Sequence, residues 1–434
     1  MPKLTHELLD QMSLTGDPDG DAVMARHAAA FPDVAPRDFV RHVVQHLHFP
    51  EKHRSPAIQA YLDASPGPTI HADPERLALG AQFFADHAGE IGSALFCASL
   101  PMSYAAPRGA RVLTLTGRLT DDLVRRVHET AQMVLHVCTP GGLETGTGIG
   151  YEDVRRVRLM HAAVRHFILN DPSIPRVAHR PAPDDGWCDD WGMPLNQEDL
   201  LGAMLTFTVT VFDVLDLLGI EYVQAEAEAY LHLWCVVASL LGLQTRLLPA
   251  NIEEAKEHAA LIRRRQLGPS PDGRELTQAL VKLMQRPAKW VPGFVPAIVR
   301  WYVGPDVATM LGLKRNPWQL VLDGPFRWVS DVLHVPEQHD HVLHRVNRKI
   351  GAAAVRRFMD SNRVGDRPAY AIPTELQPQL ARTSGRLSTD RLRRRRPSAS
   401  DVGVVDLTAE VSRPTNPTPR PASAAAEQSP PHGR

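Results

Sequence analysis

Residues 154 to 168 read Val-Arg-Arg-Val-Arg-Leu-Met-His-Ala-Ala-Val-Arg-His-Phe-Ile, and their spacing decides the fold class. Val154, Val157, His161, Val164 and Ile168 recur at steps of three and four residues, the period of one helix face. The stripe therefore turns the imidazole of His161 inward. Neutral imidazole keeps one donor and one acceptor where water cannot reach it, so a core histidine needs a hydrogen-bond partner or a metal. On the residues alone both readings stand, a satisfied core histidine and a ligand.

Outward from this helix the same punctuation repeats. Asp73 with Pro74 opens a helix expected to run towards Leu100 and to stop at Pro101. Thr120 with Asp121 and Asp122 opens the next, with the stripe Leu123, Val127, Thr130, Val134 and Val137. The glycine-rich stretch from Thr139 to Gly150 reads as a loop. Asn196 caps the most apolar segment, Leu200 to Phe212, which ends at Asp213 and Asp216, too short for a membrane span, and Gly219 lies past its end. It reads as one helix buried on all sides. Further helices are expected over about Ala225 to Leu241 and from the Asn251 cap to Arg263-Arg264-Arg265, an order of charge that suits the helix dipole. No alternating pattern competes, so the expected fold is all-α.

Composition bounds the function. Lys plus Arg (48) balance Asp plus Glu (49), so no global field recruits nucleic acid or an acidic membrane. The four cysteines, Cys97, Cys138, Cys188 and Cys235, are far apart, which argues against a thiolate metal site and a disulfide framework; they read as buried free thiols. The first twenty residues have no apolar run of the kind a secretory leader carries, and a cytoplasmic location is the expectation. Residues 1–29 read as an N-terminal extension, 30–361 as the helical domain, and 362–434 as a Pro/Ser/Ala/Arg-rich tail expected to be disordered. Within the tail, Arg391 to Arg396 could contact an anionic partner, although no aromatic residues are interleaved as a nucleic-acid stacking platform would need.

The second informative cluster is Arg126-Val127-His128-Glu129-Thr130. Thr130 lies in the apolar stripe and Arg126, one turn earlier, borders it, while Glu129 could pair with Arg126 or turn towards a cavity. The structural alternative is an intrahelical ion pair beside a threonine bonded back to its own helix.

Taken in order, Arg126 to Thr130, Arg158 to Arg165, Pro194 to Gly202, Glu228 to Trp234 and Ile262 to Gln266 resemble the latex-clearing, rubber oxygenase catalytic domain family, which includes a fungal oxygenase of mycophenolic acid biosynthesis. The resemblance covers roughly residues 30 to 360. It implies a globin-like helical core holding haem b, with His161 as proximal iron ligand and Arg126, Glu129 and Thr130 on the distal side. Thr130 and His161 are 31 positions apart, a separation that agrees with the family pattern. The implied activity is an oxygenase that uses molecular oxygen on a small, apolar, unsaturated molecule; an intracellular substrate is expected, not rubber. Two departures stand out. Characterised latex-clearing proteins carry a lysine that can close the sixth iron position where this chain has Glu129. They also carry a catalytic glutamate upstream of the arginine, whereas Ala105 to Arg118 contains no acid, which leaves Glu129, the remote Glu90 or no residue as base. Competing readings are a non-catalytic haem carrier or sensor and a haem-free helical scaffold.

Overall fold

Capping residues set many of the element starts. Thr5, Ser55, Asp73, Asn196, Asn251 and Ser270 each accept a backbone N–H of the turn they open. The computed structural model describes residues 3–45, 54–120, 123–180, 185–286 and 291–322. The expected tail, its boundary at 362 and the run Arg391 to Arg396 lie outside the described residues.

The chain opens with α1 (His6–Ser13), α2 (Pro18–Ala30), α3 (Pro36–Gln45) and α4 (Pro56–Asp63), then α5 (Pro74–Asp86) and α6 (Ala88–Ala94). A π-helical turn, Leu95–Ser99, leads into α7 (Leu100–Tyr104), α8 (Pro107–Thr120), α9 (Leu123–Val137) and α10 (Ile149–Asn170). After α11 (Gln197–Phe207) and α12 (Val209–Leu217) come α13 (Gln224–Leu240), α14 (Ile252–Gln266), α15 (Pro271–Gln285), α16 (Phe294–Met310) and α17 (Trp318–Leu322). Between α10 and α11, Arg176–Val177 pairs in parallel with Trp187–Cys188, the only strands among the described residues. The fold is all-α.

Two sequence expectations change in detail. The helix from Asp73 ends at Asp86, and Pro101 does not stop a helix but sits in the first turn of α7, where its missing N–H costs nothing. The apolar segment from Asn196 is two helices, broken at Thr208, whose hydroxyl donates to Met204 O at 3.1 Å. Residues 197–217 are long and apolar enough to cross a membrane, but most of that segment is buried inside the protein. Core burial accounts for its composition.

From Ala229 onward α13 is almost wholly apolar because it is enclosed: Tyr230, Leu231, Leu233, Trp234, Val236 and Val237 are buried. It packs against α5, where a Cβ at Gly80 would stand 2.6 Å from Ala229 O. Each such side chain contributes about 1.5–3 kcal/mol on burial. α10 bridges two apolar clusters. Tyr151 and Val154 belong to the larger, around α13, whereas Leu159, Ala162, Val164, Phe167 and Ile168 belong to a smaller one built with α2, α3, α4 and α8. His161 lies among the residues of the second cluster, next to the seam.

Candidate active site

A cavity of about 300 Å³ opens at this seam, the lower end of the range of small-molecule pockets. Its walls come from α8, α9, α10, α11 and α13 and are mainly apolar, with Phe207 and Trp234 stacked 4.4 Å apart at an interplanar angle of 12°. The polar lining is sparse: Thr116, Arg126, Glu129, Thr130, Gln132, Asp153 and His161. All four residues singled out from the sequence therefore share one cavity.

His161 lines it from α10, and its Nδ1 is buried with no hydrogen-bond partner among the described residues. Burial first, then the positive charge of Arg165, pushes its pKa down to about 4 against a smaller opposing pull from Asp17. The imidazole is thus neutral at physiological pH, the form that ligates iron. The residue thus lines a cavity and carries one ring nitrogen that no protein group satisfies among the described residues, which a fully satisfied core histidine would not show.

On the α9 side the threonine follows the structural alternative read from the sequence, bonded back to its own helix. Arg126 donates from Nη1 to Leu113 O at 2.9 Å, and its other N–H groups are not used in that bond. Burial lowers its pKa, and the charges of Tyr104 and Glu129 act in the opposite direction, which places Glu129 within electrostatic reach of the guanidinium. Thr130 donates its one hydroxyl proton back to Arg126 O at 3.0 Å. In this rotamer Thr130 offers the cavity lone pairs, so Arg126 is the donor of the pair.

Asp153 was not singled out from the sequence. It lines the same cavity from α10 and accepts from His136 Nδ1 across 2.6 Å. The two meet because α9 and α10 form a hairpin closed by the glycine-rich turn: Tyr151 N donates to Gly142 O at 2.8 Å, and a Cβ at Gly150 would stand 2.7 Å from Val137 N and Cα. Only glycine permits this approach. A sequence signal exists, since Asp153 lies four residues before Val157 on the flank of the same face. Glu90, the remote base considered above, does not line the cavity.

Among the described residues no three His, Cys, Asp or Glu side chains come together to hold a metal ion. All four cysteines are buried and free, and burial pushes the thiols of Cys97 and Cys235 up to about 12. The ligating side chains at the cavity are the neutral imidazole of His161 and the carboxylates of Glu129 and Asp153, which do not converge in a cluster of three among the described residues. This set suits a metal that arrives inside its own ligand frame, as in a metalloporphyrin, and cannot complete the shell of a bare ion.

Comparison with known proteins bears on family and fold. A family profile described as "ER-bound oxygenase mpaB/B'/Rubber oxygenase, catalytic domain" matches residues 86–335, more than half of the chain. The chain belongs to this family. It is 27% identical over 252 residues to the rubber oxygenase of Streptomyces sp. (strain K30), a match spanning 57% of this chain and 58% of that protein. The chain thus matches less than two thirds of the length of that curated relative. Its fold matches the structure of latex clearing protein LCP in the closed state, with a TM-score of 0.58 at 22% identity over 86% of this chain and 90% of the other.

Within this rubber oxygenase domain the other motif blocks serve packing. Glu198, fully buried, accepts from Arg108 at 3.1 Å and Arg265 at 2.8 Å, which ties the Pro194 to Gly202 block to the Ile262 to Gln266 block. His232, in the Glu228 to Trp234 block, accepts from Asp73 N at 3.3 Å and steadies the start of α5. These blocks build the chamber; they do not line its polar face.

Proposed function

We propose that this protein is a haem b-dependent oxygenase that acts on a small, apolar, unsaturated molecule. The observation that carries the proposal is His161, a neutral imidazole with one orphaned nitrogen, lining an apolar cavity that Arg126, Glu129 and Thr130 also line. Family membership supports the oxygenase chemistry. Haem held by His161 would supply the iron at which molecular oxygen is bound and activated.

The protein's own groups account for the rest. Arg126, desolvated and held by Leu113 O, directs fixed positive charge into a water-poor chamber, where it stabilises negative charge that develops during reaction. Glu129 balances that charge. The stacked Phe207 and Trp234 with the aliphatic walls exclude water and favour a hydrocarbon body over a polar one. Asp153, fixed by His136, is a second carboxylate able to accept a proton from the cavity, in a chain that lacks an acid between Ala105 and Arg118.

The test is oxygen consumption by haem-loaded protein with an unsaturated terpene as probe. Uptake that needs both the double bond and the loaded protein supports the proposal. A stable haem complex that consumes no oxygen with a panel of unsaturated apolar probes would favour the carrier or sensor reading.

A further inference from the structure

Residues 1–29 read from sequence as an extension, and the family match begins only at residue 86. Yet α2 is built into the helix that carries His161. Asp17, which opens α2 and is 1% exposed, accepts two bonds from Arg158, from Nε to Oδ2 and from Nη2 to Oδ1, each 2.6 Å. Arg165 donates from Nε to Asp21 Oδ1 at 2.7 Å and from Nη1 to Leu195 O at 3.1 Å. Asp17 N in turn donates to Asp21 Oδ2 at 3.1 Å. Arg158 precedes His161 by three residues and Arg165 follows it by four, so the first turn of α2 grips α10 one turn on either side of the imidazole.

The slot around Asp17 and Arg158 leaves no spare room. A Cβ at Gly20 would stand 2.5 Å from Asp17 Oδ2, and one at Gly242, whose φ is +92°, would stand 2.9 Å from Asp17 Cγ and 3.0 Å from Arg158 Nε. Gln197 closes it from below, donating from Nε2 to both Gly16 O and Gly242 O at 2.8 and 2.9 Å. A buried ion pair of this kind is poor value as pure stabilisation, since apolar residues of equal volume often do as well or better. Its geometry fixes the rotation of α10 and places one carboxylate in the electrostatic field of the imidazole.

We infer that Asp17 is a positioning residue for His161: with Arg158 it fixes the aim of the ring into the cavity and sets the charge behind it. The inference rests on His161 as the iron ligand. It makes the α2 strap part of the cofactor site and not an appendage.

The experiment compares haem-loaded full-length protein as wild type, Asp17→Asn and the double variant Asp17→Asn/Arg158→Gln. Haem dissociation rate and ferric/ferrous midpoint potential are read out, with helix content by circular dichroism as the folding control. Asp17→Asn leaves Arg158 with only the exposed Asp19, 3.3 Å away, as a charged partner, so the potential should rise and haem should leave at least about tenfold faster, as loss of a supporting group around a metal ligand costs. In the double variant no lone charge remains; the potential should return towards wild type while dissociation stays fast. That split separates charge from placement. Unchanged dissociation and potential in folded Asp17→Asn would overturn the inference and leave the functional reading intact. Should Asp17→Asn not fold, the double variant decides, with a wild-type dissociation rate as the overturning result. Wild-type protein that takes up no haem defeats the functional reading and this inference together.

Discussion

The buried neutral state of His161 predicts how the cofactor-free protein responds to acid. In the folded chain the imidazole remains unprotonated down to about pH 4, whereas in the unfolded chain it takes up a proton below about pH 6.5. Between these values the unfolded state holds the extra proton, so the contribution of His161 to stability is complete above about pH 6.5 and is lost as the pH falls towards about 4. At 1.36 kcal/mol per pH unit, the window corresponds to about 3 kcal/mol, an upper value because in the cofactor-free protein solvent can enter the cavity beside the ring. The assay is urea unfolding of wild type and His161→Leu above about pH 6.5 and near about pH 4.5, the two ends of the window. All other titrating groups are common to both proteins, so the difference between the two pH profiles isolates the imidazole. Wild type should lose more stability than the variant on acidification. Parallel profiles would refute a neutral, desolvated His161 and with it the argument for a ligand.

Three further outcomes follow from the same geometry. Arg126→Ala should slow oxygen-dependent turnover by about 10²–10³-fold while haem content is kept, and Thr130→Val should do much less, since its hydroxyl proton already goes to Arg126 O. Equal losses from both would mean that the hydroxyl turns towards the cavity in the working enzyme. Wild-type ferric protein should be high-spin and bind cyanide without a slow preceding step, and Glu129→Lys should convert it at alkaline pH to a six-coordinate low-spin form; a low-spin wild type would show another side chain at the iron. Gly150→Ala should lower stability by about 1–3 kcal/mol in thermal unfolding, because the added methyl meets Val137 backbone at 2.7 Å; an unchanged melting temperature would contradict the tight α9–α10 approach.

Much of this was legible in the residues themselves. The caps Asp73, Asn196 and Asn251 start helices where expected, and α13 and α14 match their expected ranges to within a residue or two. The stripe through Val154, His161 and Ile168 is the inward face of α10. What escaped was tertiary. Nothing local says that Thr208 breaks an apolar helix, and Pro101 can equally stop one helix or sit in the first turn of the next, a choice made by how the neighbouring turns pack. His136 and Asp153 are 17 residues apart and meet only because three-dimensional closure of the Gly142 to Gly150 turn brings two helices into contact. Asp17 is more distant still from Arg158, and its pairing with an arginine of the His161 helix has no sequence period to reveal it.

The central claim is that His161 holds haem in this cavity. It is tested most directly by the absorption spectrum and haem stoichiometry of wild type and His161→Ala after identical loading with haem. The account predicts a Soret band with one haem per chain for wild type, and loss of stoichiometric binding in the variant, while replacement of Cys97, Cys138, Cys188 and Cys235 leaves binding intact. A His161→Ala protein that keeps a full, unshifted Soret band would contradict it.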